Sequence, residues 1–284
     1  MIMYNDPWYT HRIIYRILDF EVEFTALEPI RIGAGRSSKL ESPVDLPVIR
    51  IKRGGVESPY IPGSSIKGVF RSSAEFIARL AGLDVCSRGD RCRDTYNEEL
   101  QGCLDKNDIN GVFNLLKNYC LICKLFGSGS YKSHIDFKDA YPITDVTTAV
   151  KPGIAISRRS GTVRTGPFFV EYVNPGAKFR GGFTLTNVPN YGVGLLALVI
   201  DLVNCGVVKL GGMKTRGFGK VRLDVSRVSV YIFEDGVFRE VEEKTLLRSL
   251  DDFDSDVEFD PSDPLKYLGG CKEAWKAYVS RAKG

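Results

Sequence analysis

Towards its C-terminal third the chain reads Leu210-Gly211-Gly212-Met213-Lys214-Thr215-Arg216-Gly217-Phe218-Gly219-Lys220, four glycines interleaved with three cations. Glycine has no Cβ, so this backbone can take positive φ and approach a ligand closely. The apolar segment 194–208 before it has the length and character of a helix, and the alternating run 220–225 after it reads as a strand. The order is therefore helix–loop–strand. Phosphate loops of nucleotide enzymes run strand–loop–helix, so a nucleotide cofactor is disfavoured here. The cations Lys214, Arg216 and Lys220 point instead to the phosphate backbone of a nucleic acid.

With 284 residues, 43% hydrophobic and 26% charged, the chain has the composition of a globular protein with a sizeable core. One domain with insertions, or two small domains, fits that length. The net charge of +4 is unevenly distributed. Residues 234–263 hold twelve acids against three bases, which leaves the rest of the chain at +13. This predicts a basic working face, with the acidic segment a solvated surface loop or facing a basic neighbour. The first residues lack the pattern of a signal peptide, and the most apolar run, 193–208, is broken by Asp201 and Asn204. A soluble, cytoplasmic protein is expected. In that compartment the seven cysteines, five of them between Cys86 and Cys123, read as metal ligands rather than disulfides.

Leu18, Phe20, Val22 and Phe24 alternate with Asp19, Glu21 and Glu23, the signature of a strand with one wet face. Ser64 or Ser65 is placed to cap a helix whose apolar positions Ile66, Val69, Phe70, Ala74, Ile77 and Ala81 follow a 3.6-residue period. A short helix near residues 112–119, strands around Phe137 and Phe183, and a last helix after Gly269-Gly270 complete the pattern. Residues 147–177 read as a long hairpin or flexible arm. Strands and helices in this order suit an α+β sheet with helices on one face, as in ferredoxin-like or RNA-recognition folds.

Three segments carry chemistry. Ser64, Ser65 and Lys67 at a helix N-terminus make an anion site. The arm holds Lys151, Arg158, Arg159, Arg164, Lys178 and Arg180 against the single acid Glu171, with Phe168, Phe169 and Tyr172 between them. Cations and rings together follow a single strand by charge neutralisation and base stacking. Cys86, Cys92, Cys120 and Cys123 make two close pairs suited to a closed structural Zn²⁺ site, with Cys103 as an alternative to Cys92. Cys205 and Cys271 read as core. Catalytic signals are weaker. His11 and His134 share no motif, so a histidine-pair ribonuclease mechanism is unsupported. Asp45, between a polar loop and Pro47-Val48-Ile49, is an acid that could hold Mg²⁺ against a phosphodiester.

Taken in order, several blocks resemble the RAMP superfamily, in particular the repeated backbone subunit of type III CRISPR–Cas (Csm/Cmr-type) effector complexes. They are Ile32-Gly33-Ala34-Gly35, Asp45-Leu46-Pro47-Val48-Ile49, Tyr60-Ile61-Pro62-Gly63-Ser64-Ser65-Ile66-Lys67-Gly68, Cys120-Leu121-Ile122-Cys123 and Gly211-Gly212-Met213-Lys214-Thr215-Arg216-Gly217-Phe218-Gly219. The resemblance implies a modified RNA-recognition core (12–83 and 127–233), a cysteine-rich zinc-binding insertion (84–126) and a thumb (147–177), while the acidic tail with a C-terminal helix (234–284) has no clear counterpart in the family. It further implies head-to-tail stacking along a CRISPR RNA, contact with target RNA and other subunits, and metal-dependent cleavage of target RNA by Asp45. The RNA contacts expected are Lys67, Arg71, Arg158, Arg159, Arg164, Gly211, Gly212, Lys214, Arg216, Gly217 and Gly219. The basic loop 36–41 ahead of Asp45 departs from the family pattern. A subunit that binds RNA without cutting it, and an enzyme that processes precursor CRISPR RNA, are the competing readings.

Overall fold

A computed structural model describes residues 7–33, 44–86, 90–129, 131–234 and 236–282. The loop 36–41 lies outside them. The strands are β1 (Arg16–Ala26), β2 (Arg50–Arg53), β3 (Val56–Pro59), β4 (Ile135–Pro142), β5 (Thr148–Ile156), β6 (Val163–Val173), β7 (Lys178–Thr186), β8 (Val221–Glu234), β9 (Val237–Glu240), β10 (Thr245–Leu247) and β11 (Val257–Phe259). The helices are α1 (Gly63–Leu80), α2 (Asp90–Asp105), α3 (Ile109–Lys117), α4 (Leu121–Phe126), α5 (Asn190–Asn204) and α6 (Pro264–Ala282).

An antiparallel sheet of five strands in the order β4-β7-β1-β8-β9 forms the centre. Without β9 this is the βαββαβ arrangement of a ferredoxin-like fold, with α1 and α5 as its two helices. Alternation in β1 decides which face they cover. Leu18, Phe20, Val22 and Phe24 are buried beneath the helices. Phe20 pairs with Phe183 across the sheet, their rings stacked at 4.7 Å, and Phe70 of α1 reaches the same cluster.

The opposite face is wet. There Asp19 pairs with Lys138, Glu23 with Lys178 and Arg222 with Asp224. RNA-recognition sheets stack bases on aromatic rings at such positions. Here the middle of the sheet holds ion pairs instead.

Several local expectations change. The cap of α1 is Pro62, not Ser64 or Ser65, and Asp139 on β4 accepts from the Gly63 amide at 2.7 Å. Gly63 has to be glycine, because a Cβ there would lie 2.2 Å from the Phe137 carbonyl oxygen. The last helix begins at Pro264 and runs through Gly269 and Gly270, packing along α5. Stabilisation by that contact outweighs the poor helix propensity of two glycines. Cys205 is exposed at the end of α5, whereas Cys271 is buried. The acidic segment does not float free. Leu247, Leu250, Val257 and Phe259 enter the core, and the buried Asp254 accepts from the Asn190 and Tyr191 amides at the start of α5. A carboxylate at a helix N-terminus satisfies orphan donors and complements the dipole. No helix among the described residues is long and apolar enough to cross a membrane.

Candidate nucleic-acid interface

The start of α1 and the glycine–cation loop, almost 150 residues apart along the chain, meet in space. Ser64, Ser65, Gly68, Gly211, Gly212 and Lys214 line one groove of about 360 Å³, together with Arg31. The hydroxyls of Ser64 and Ser65 have no partner among the described residues, which leaves them for a ligand. The amide at the helix start is partly spent on Asp139, so hydroxyls and cations carry most of the anion attraction here.

The loop is held by its glycines. Gly211 takes φ +83°, and a Cβ on it would lie 2.3 Å from the Arg31 carbonyl oxygen. That oxygen accepts from the Gly212 amide at 2.8 Å. Gly219 takes φ +92° and exchanges a backbone hydrogen bond with Leu210 at 2.8 Å. Gly217, at φ +78°, faces open space. Met213 also sits in the left-handed region, at φ 59°, a strained position for a residue with a side chain. The result is a tight turn that presents Lys214 and Arg216 fully to solvent, with no ion-pair partner among the described residues. Lys67 is half-buried one turn into α1, and burial lowers its pKa against the pull of Asp136.

Arg31 was not foreseen as a functional residue, although its place between Ile30 and Ile32 marks it as the outward member of an alternating run. Its side chain lines the groove and Nε donates to the Leu46 carbonyl at 3.4 Å. Asp45 is therefore adjacent to the groove. Leu46 exchanges hydrogen bonds with β6 at Phe169 and Glu171, and Asp45 Oδ2 accepts from the Phe169 amide at 2.7 Å. The seat beneath is rigid: Glu171 accepts from Val48 N at 3.0 Å and forms a bidentate pair with Arg50. Burial pushes the Glu171 carboxyl up, but the hydrogen bonds from Arg50 and Val48 outweigh it and its pKa falls below the usual range. Asp45 Oδ1 has no partner among the described residues.

β5 and β6 form the expected hairpin, paired from Thr148↔Val173 to Ile156↔Val163. Its base touches the glycine loop, where the buried Phe218 packs edge-on against Tyr172 at 5.5 Å. Arg158 and Arg159 stand exposed at its tip. The side chain of Arg164 lies outside the described residues. Arg71 faces the interior instead: its guanidinium donates to Glu75, to the Gly127 carbonyl at 2.7 Å and to Cys123 Sγ at 3.4 Å.

Cys86, Cys92, Cys120 and Cys123 bring four buried sulfurs within 4.8 Å of one another. Cys86 lies 3.8, 3.5 and 3.3 Å from the other three. Tetrahedral Zn–S bonds of about 2.3 Å require sulfur separations of about 3.8 Å, so the group fits zinc. Cys103 is outside the cluster, half-exposed and against Gly111. Mutual hydrogen bonding holds the Cys120 thiol low, through Cys123 first, and pushes Cys92 up to about 11 through Cys120. The four cysteines can hold a metal ion such as zinc, closed to substrate.

The two histidines, separate in sequence, stack with centroids 3.7 Å apart. Their nitrogens face carbonyls and a hydroxyl: His11 Nε2 lies 3.0 Å from Lys132 O, His134 Nδ1 2.7 Å from Thr186 O and His134 Nε2 2.7 Å from the Tyr131 hydroxyl. Burial, with the neighbouring His11, depresses His134 to about 3. This pair is packed and occupied, which gives it the role of a structural contact between the N-terminal segment and β4.

No curated protein matches the chain in sequence. A family model does match it, over residues 23–222, the span that contains the groove, Asp45, the hairpin and the cysteine cluster. That match covers well over half of the chain and fits a CRISPR-associated RNA-binding subunit; the chain belongs to the RAMP superfamily.

Proposed function

We propose that this RAMP protein is the repeated backbone subunit of a type III CRISPR interference complex. It binds guide RNA in the groove between α1 and the glycine loop, associates head to tail with further copies along the guide, and cleaves matched target RNA at Asp45. The observation that carries the reading is the continuity of the groove with the Asp45 seat through Arg31. Exposed Lys214 and Arg216 supply charge for the RNA backbone, and the hairpin carrying Arg158 and Arg159 rises beside them. Asp45 Oδ1 is the atom available to a Mg²⁺ ion, which when bound would polarise a phosphodiester of the target. A hard divalent ion needs only one or two carboxylates plus phosphate oxygens, so one free oxygen at the groove's edge fits.

A second reading has its own support. Oδ2 of Asp45 fastens the loop to Phe169, a structural task sufficient to explain an acid at that position. In that case the chain is an architectural RNA-binding subunit. A processing ribonuclease is less supported, since the histidine pair is packed away. Asp45→Asn decides between the first two, because an amide oxygen still accepts from Phe169 but holds a cation poorly. Complexes assembled wholly from Asp45→Asn subunits should bind guide normally and lose Mg²⁺-dependent target cleavage. Unchanged cleavage in that complex, or a wild-type complex that never cuts, favours the architectural reading.

A further inference from the structure

A second concavity is larger than the groove beside α1. A cavity of about 910 Å³ opens where the N-terminal segment, residues 83–85, residues 117–124, the loop 250–253 and α6 converge. It lies past the C-terminal end of α1, while the RNA groove lies at its N-terminal end. The 18-residue helix puts about 27 Å between them. Its volume falls in the range of small-molecule sites.

The wall combines three kinds of group. Phe253 presents an open ring, 47% exposed, whereas Tyr278 is already stacked on Tyr191 and Trp275 and the Tyr9 ring carries the Lys124 ammonium. Lys117, Lys124 and Arg281 present cations, none of which forms an ion pair among the described residues. Lys124 Nζ donates only to the Lys117 carbonyl and lies 4.7 Å from the Tyr9 ring centroid, and Arg281 donates only to the carbonyls of Phe253 and Asp254. Of the acids, Asp251 accepts from Trp8 Nε1, the Tyr191 hydroxyl and the Phe253 amide, and its charge acts on Lys124, which leaves Lys117 and Arg281 as the cations it does not hold. Asp84 also stands in the wall, with contacts of its own. Asp252 is exposed at the rim with a carboxylate that accepts from no group among the described residues.

We propose that this cavity binds a nucleotide unit. The open Phe253 ring stacks a base, the cations take its phosphate, and the Asp252 carboxylate accepts from an exocyclic amine on the base edge. A simple anion would leave the Phe253 ring and Asp252 unused, and a purely apolar ligand would strand three cations. The occupant is a free nucleotide or a terminal nucleotide of an RNA strand, which share this chemistry.

Both tryptophans report on the site, Trp8 from its wall and Trp275 from behind Tyr278 at 5.7 Å. Titration of the purified full chain with AMP, GMP, CMP and UMP should change tryptophan fluorescence saturably. Amino-bearing bases should bind about tenfold more tightly than uracil. Lys117→Glu and Phe253→Ser change exposed side chains and should each weaken binding at least about tenfold, while guide-RNA affinity and zinc content stay unchanged. Short RNAs with and without a terminal phosphate identify the source: a strand end is the occupant if they compete better than mononucleotides, a free nucleotide if they compete worse. Absence of saturable binding at millimolar nucleotide, binding indifferent to both variants, or occupancy only by a protein segment would overturn the proposal.

Discussion

Lys214 and Arg216 show how position sets the worth of a charge. Each stands in open solvent on a turn fixed by glycine, so neither contributes appreciably to stability. Their expected contribution is to RNA binding. Arg216→Ala should lower the magnitude of the log–log salt slope for single-stranded RNA by roughly 0.7 and leave thermal stability within experimental scatter. An unchanged slope in a salt titration would reduce the loop to a turn. His134 has the opposite character. Its pKa is depressed to about 3 in the folded chain against an ordinary 6.5, so the unfolded chain takes up the proton first as pH falls. Stability contributed by neutral His134 is present above about pH 6.5 and lost on the way down to about 3, at up to about 1.4 kcal/mol per pH unit. His134→Gln should flatten that acid limb in urea denaturation measured between pH 4 and pH 7. Residues like these were unequally legible in the sequence. Glycine and cation spacing disclosed the loop, but nothing along the chain pairs His11 with His134, because their contact depends on where β4 delivers one to the other.

Among the elements, the insertion combines apolar packing with a cluster of thiols. Leu116, Ile122, Leu125 and Phe126 are buried, whereas α2 is polar and its Cys92 reaches Cys86, Cys120 and Cys123 across three separate segments. Ligation of four thiolates contributes directly to folding free energy. Removing the metal with a strong chelator should therefore raise amide exchange across residues 90–126 and spare β1, β7 and β8. Cys92→Ser should abolish stoichiometric zinc in elemental analysis, whereas Cys103→Ser should retain it. The periodic elements were the most legible. β1 alternates cleanly and α1 repeats every 3.6 residues, so their buried faces could be assigned from the chain alone. α2 could not, because its apolar period is weak and its place is set by sulfur chemistry. The start of α6 was obscured by its two glycines, which packing against α5 overrides.

On the scale of the whole molecule, the acidic segment is mostly exposed, as its composition predicts, but two of its carboxylates are drawn inward. The segment closes over the start of α5 through Asp254 and over Trp8 and Tyr191 through Asp251. Asp254→Ala should destabilise the fold by about 1–3 kcal/mol in denaturant melts, since buried α5 amides lose their acceptor. The wet strand face and the two halves of the groove were each legible in the sequence. Only the topology shows that the halves meet, and that the charges of the sheet face are paired while Lys214 and Arg216 have no ion-pair partner among the described residues. Finally, Arg71 touches both Cys123 and the helix that borders the groove. If the groove binds RNA as proposed, a residue so placed joins metal loading and RNA capture in a single equilibrium. If metal tightens RNA binding by some factor, RNA must tighten metal binding by that same factor, whichever arrives first. Arg71→Met, which preserves bulk but removes the charge, should bring that factor close to unity, whereas with Arg71 in place cells short of zinc would be short of competent subunits before they are short of protein.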